Sequence, residues 1–176
     1  MGTHIDCFIP KEHDYSVEEI KQKLTSVFNR LKPEYLLLEK YGSFTENVNG
    51  KWWISFIPAE NGNPEYKTGE GDSFSIDIYD KTICIGSAER FSSLYLTERN
   101  IAKELFQIIT ELSKIFRTTE GILIGPGGSG ATDHIMDMAF NKSADFEQLC
   151  DKMTEINGVP ASHLTELKNR SWYLKK

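Results

Sequence analysis

The chain has 176 residues, 39% apolar and 26% charged, which is enough to bury the core of one domain without disulfides or a structural metal and leaves little room for a wholly disordered chain. Its formal net charge of −6 at pH 7 is the wrong sign for a protein that neutralises phosphates over its surface, and this argues against nucleic acid as a partner. In chain order, "HIDCFIP" alternates Ile5, Cys7 and Ile9 on one face and predicts a strand ending at Pro10. A helix opens at Ser16, with Glu19 three residues on completing a capping box, and carries Val17, Ile20, Leu24, Val27, Phe28 and Leu31 at helical spacing until Pro33. "YLLLEKY" and "KWWISFIP" read as the next two strands, separated by a turn region from Gly42 to Gly50. Trp52 and Trp53 fall on opposite faces of the second, which suits a strand covered on both sides.

The segment "AENGNPEYKTGEGD", Ala59 to Asp72, is the clearest long loop and sets Glu60, Glu65, Glu70 and Asp72 against Lys67 alone. "FSIDIYDKTICIGS" alternates twice and predicts a hairpin with Asp80 and Lys81 at its tip. "IGSAERFSSLYL" then reads as a strand-to-helix crossover in which Glu89 and Arg90 form a local ion pair. The apolar stripe of Ile101, Leu105, Ile108, Ile109, Leu112, Ile115 and Phe116 predicts a helix from about Thr97 to Phe116. "GILIG" supplies a further strand. One short helix is expected after Thr132, another from about Ser143 to Ile156, and a turn of helix after Pro160, before "SWYLKK" as an edge strand or docked tail. Grouped strands with short connections point to one α+β domain over residues 1–176. It should hold a mostly antiparallel sheet of about five to six strands with helices packed mainly on one face.

"GPGGSG", Gly125 to Gly130, matches the G-x-G-x-x-G pattern of dinucleotide-binding loops. A dinucleotide fold places that loop after its first strand and completes the sheet with several strand-helix units, whereas here the short remainder of the chain reads as mostly helical. No lysine follows the last glycine, so a phosphate-binding loop of the Walker type also fails. The expectation is a structural turn using glycine for positive φ. The alternative is a small-ligand or nucleotide loop formed by Gly125, Gly127, Gly128, Ser129 and Gly130 at a helix N-terminus, with Asp133 or His134 as polar groups.

Asp133 and Asp137 lie four apart on one predicted helix face, with His134 about 100° away, and no second histidine clusters with them, so neither a metal nor another cofactor is expected. No G-x-S-x-G marks a nucleophile, and an enzyme is the less favoured reading. Cys7, Cys84 and Cys150 are scattered, odd in number and without a C-x-x-C pair, which fits buried thiols in a reducing compartment. No apolar run approaches the roughly 20 residues of a membrane helix, and "MGTHIDCFIPKEHD" lacks the blocks of a secretory leader, so a cytoplasmic monomer or homodimer without membrane contact is expected.

The acidic surfaces remain as the functional signal. Besides the Glu60 to Asp72 loop, the segment from Asp133 to Glu155 carries six acids against Lys142 and Lys152. A small acidic α+β domain with such loops and no coherent active-site motif resembles the bacterial immunity proteins that neutralise toxins passed between competing cells. The resemblance is one of style over the whole chain. It implies a basic protein partner, such as a cognate toxin, met by Glu60, Glu65, Glu70, Asp72, Asp133 and Asp137.

Overall fold

The computed structural model describes residues 4–31, 33, 44–48, 51–56, 74–96, 101–116, 120–128, 131–168 and 171–176. Strand β1 (His4–Pro10) leads to helix α1 (Val17–Leu31), then to strands β2 (Phe44–Val48), β3 (Lys51–Phe56), β4 (Phe74–Ile78) and β5 (Thr82–Arg90). Helices α2 (Ser93–Leu96) and α3 (Ile101–Phe116) follow, then β6 (Ile122–Gly127), α4 (Ala131–Asn141), α5 (Phe146–Asn157), a 3-10 turn (Leu164–Glu166) and β7 (Tyr173–Lys175). The strands form one sheet in the order β2-β3-β4-β5-β1-β6-β7. Every neighbouring pair is antiparallel, so the fold is a single α+β domain built on one antiparallel sheet.

Local sequence explains the element ends. Ser16 and Glu19 cap α1 reciprocally: the Ser16 N–H donates to Glu19 Oε2 at 2.9 Å, and the Glu19 N–H to Ser16 Oγ at 3.3 Å. Asp145 and Gln148 do the same for α5, which is why that helix begins at Phe146 rather than at Ser143. The β4–β5 hairpin turns at Asp80 and Lys81, with the Tyr79 N–H donating to the Thr82 carbonyl at 3.0 Å.

The sheet buries both faces. On the first, Ile5, Cys7, Ile9, Ile83, Ile85 and Ile124 pack against Ile20, Leu24 and Phe28 of α1 and Leu105, Ile108 and Leu112 of α3. On the second, Phe8, Cys84 and Leu123 meet Ile135 and Ala139 of α4, Leu149 and Met153 of α5, and Trp172. Each fully buried side chain of this size stabilises the fold by roughly 1.5–3 kcal/mol. The Trp172 indole N–H donates to the Gly158 carbonyl at 2.8 Å, so its burial leaves no orphaned donor.

Two expectations change. Helices cover both faces rather than mainly one, because the apolar sides of α4 and α5 find their counterpart in Phe8, Cys84 and Leu123, residues interleaved with the first-face isoleucines. The sheet has seven strands instead of five to six, since Phe44–Val48 pairs with β3 inside the region expected as a turn, and Tyr173–Lys175 pairs with β6. β3 lies between β2 and β4, an interior position for the Trp52–Trp53 pair. "YLLLEKY" and the side chains of both tryptophans lie outside the described residues, as does the start of α3 expected at Thr97.

Candidate functional site

Of the acids expected to meet a partner, Glu60, Glu65, Glu70 and Asp72 lie outside the described residues. Asp133 and Asp137 are exposed on α4 and one turn apart, as their spacing requires. Asp137 accepts from Asn141 Nδ2 at 2.6 Å and sits 3.8 Å from Lys142 Nζ, which partly neutralises it. Asp133 stands beside a different set of groups, which the sequence reading passed over.

That set is centred on Asp6, in the interior strand β1 and only 2% exposed. The Thr132 hydroxyl donates to Asp6 Oδ2 at 2.7 Å and lies 3.0 Å from the Pro126 carbonyl oxygen. His4 Nε2 is 3.2 Å from Asp6 Oδ1, its side chain 45% exposed. The imidazole holds its proton above the ordinary value of 6.5, chiefly through the bond to Asp6, opposed by its own partial burial and helped by the charges of Asp6 and Asp133.

Register extends the cluster across the sheet. Asp6 is opposite Gly86, and Gly86 opposite Ser75; one row away, Asp77 is opposite Cys84. All of these share the second face, because directly opposed residues point the same way. Ser75, Asp77 and Gly86 stay partly exposed, while Ile76 and Ile85, on the other face of the same strands, are buried. The result is a polar patch on the second face beside the region packed by α4, which holds Asp6, Ser75 and Asp77 together with Gly86. Burial, and secondarily the charge of Asp6, push the Asp77 carboxyl up to about 7.

The glycine loop borders this patch. Gly125 and Gly127 are paired strand residues opposite Asp6 and His4. A side chain at Gly127 would collide with the Asp6 carboxylate and the His4 ring, and one at Gly125 would press to 3.0 Å on Met153 Cε and Thr132 Cγ2. Gly128, at φ +66°, needs glycine's conformational freedom. Each of these three glycines therefore has a steric or backbone reason; Ser129 and Gly130 lie outside the described residues. β6 is antiparallel to both neighbours, so the crevice between parallel strands that holds a dinucleotide pyrophosphate does not form here.

Among the described residues no group of three or more His, Cys, Asp or Glu side chains is placed to hold a metal ion. No described helix is long and apolar enough to cross a membrane. Burial pushes the Cys7 and Cys84 thiols well up, and Cys150 to about 12, which keeps all three as unreactive thiols. What this polar patch offers chemically is acidity: His4 lies among the charges of Asp6 and Asp133, and Asp77 feels the charge of Asp6, an arrangement complementary to a cationic group. The sequence does carry a signal for it. "IDC" and "IDI" each place an aspartate inside a strand whose flanking residues are core, and a strand aspartate on a face that packs demands a partner.

No protein-family model, no curated protein and no solved structure matches this chain.

Proposed function

We propose that the chain is a non-enzymatic protein-binding domain of the immunity type, which presents the acidic patch of Asp77 and Asp133, beside the buried Asp6, to a basic group of a toxin and thereby covers the toxin's working surface in the cytoplasm. One observation supports this most. Asp133 lies near His4 and Asp77 near Asp6 while, among the described residues, no lysine or arginine is seen to pair with these carboxyls, and burial, with the crowding charge of Asp6, keeps the acid form of Asp77 to about 7. A lysine or arginine from a partner relieves that crowding, and attraction over the open rim at Asp133 and Asp137 speeds encounter. Glu60, Glu65, Glu70 and Asp72 add to the same negative field in this reading.

The test is capture of a partner at low salt from the native source, followed by titration calorimetry of the purified pair. A basic protein bound one-to-one, with affinity that falls steeply with salt and by roughly tenfold or more in Asp133→Lys, is expected. Equal affinity and equal salt dependence for wild type, Asp133→Lys and Asp77→Asn would remove this surface from consideration, and equal values for charge reversal at Glu65, Glu70 and Asp72 would remove that loop.

A further inference from the structure

On the opposite side of the sheet, α1 and α3 leave a groove of about 450 Å³ between them, within the range of small-molecule sites. Its floor is apolar: Tyr15, Val27 and Ile115 pack partly buried against the first-face core. Its walls are cationic. Arg30 Nη2 donates to Glu111 Oε2 at 2.8 Å, and Lys114 pairs with the other oxygen of the same carboxylate. Lys23 Nζ stands 4.8 Å over the Tyr15 ring, and that ring is held edge-on by Phe116 at 6.4 Å.

The lining thus holds three cations, two of them paired to its single carboxylate, an excess of positive charge in a chain whose net charge is −6. Glu111 is held ionised, its carboxyl lowered first by the Lys114 bond and then by Arg30, so it acts as a fixed internal anion that aims both heads at the groove. The bond to Glu111 uses one of the five N–H donors of the guanidinium. Donors beside an apolar, aromatic floor suit a molecule with a charged end and an unsaturated or aliphatic body.

We propose that this groove binds a small organic anion, an oxyanion group carried on an apolar body. The site is separate from the acidic patch and does not depend on the protein-binding reading.

The experiment is an NMR titration of the full chain with phenyl phosphate and with benzoate, which separate phosphate from carboxylate as the oxyanion, and with inorganic phosphate and benzyl alcohol as charge-only and body-only controls. At least one of the two aromatic anions should give saturable shifts at Tyr15, Val27 and Ile115 with Kd on the order of 1 mM, and both controls should bind more weakly. Arg30→Gln should weaken binding roughly threefold or more, whereas Glu111→Gln should tighten it, because it removes the competing carboxylate. Lys114→Gln, at an exposed position, repeats the first comparison should Arg30→Gln fail to fold. The proposal is overturned if neither aromatic anion gives saturable shifts at the groove, if benzyl alcohol binds as well as they do, or if Glu111→Gln and the cation variants leave affinity unchanged.

Discussion

The Thr132 hydroxyl donates to the Asp6 carboxylate at 2.7 Å across 126 residues of chain. This bond ties the first turn of α4 to β1, and with it the acidic rim at Asp133 to the buried acid beneath. Thr132→Val keeps the shape of the side chain and removes the donor, leaving a buried carboxylate short of one partner. Urea unfolding should show a loss of about 1–3 kcal/mol. Near-wild-type stability would mean that Asp6 is satisfied without α4.

Gly127 makes the closest approach in the site, with Asp6 and His4 filling the space where its side chain would stand. Gly127→Ala should destabilise the fold by about 1–3 kcal/mol, because one methyl group has to displace a buried carboxylate and a ring bonded to each other. Thermal melts of the wild type with and without a nucleotide panel give the complementary measurement. No shift in melting temperature is expected, and a nucleotide-dependent rise that Gly127→Ala abolishes would restore the loop as a ligand site.

Asp77 sets a pH dependence. Its carboxyl titrates at about 7 in the folded protein against an ordinary value of 3.8. Between those values the native state keeps a proton that the unfolded chain has lost, so stability declines as pH rises across that window and is flat, for this group, above it. With its partial exposure discounted, the change should be on the order of 1–2 kcal/mol. His4 acts in the same direction at higher pH: its raised value contributes stability below 6.5 that is lost as pH climbs through the shifted value. Urea midpoints followed from acid to neutral pH should fall for the wild type and stay closer to level for Asp77→Asn. A parallel decline in both would place the effect on other groups.

Much of the fold was legible because its signals are local. The Ser16–Glu19 capping box, the Asp80–Lys81 hairpin tip and the stripe from Leu105 to Phe116 each depend on residues within a few positions of one another, and each appears in the structure. What the sequence hid is non-local. In β1 the alternation of Ile5, Cys7 and Ile9 advertises one buried face, while the other shows only Phe8 as an apolar residue; its partners Leu123, Met153 and Trp172 come from far along the chain. The same blindness conceals the candidate site. Asp6 looks like a solvent-facing strand residue until Thr132 is seen above it, and nothing near Asp6 in sequence announces Thr132 or Gly86. Asp133 and Asp137 were legible as one helix face, but only the packing of α4 on the sheet, through Thr132 and Asp6, brings Asp133 near His4.

β1 lies between β5 and β6, two strands that come much later in the chain. During synthesis the alternating apolar run from Ile5 to Ile9 therefore waits without either permanent neighbour, and its pairing depends on closing the longest loops in the fold, a topology that slows folding. Once closed, the same strand is sealed by neighbours on both edges and by helices on both faces. Its amides should be the last to open, so a strand made before either of its neighbours becomes the one that reports global unfolding in hydrogen exchange.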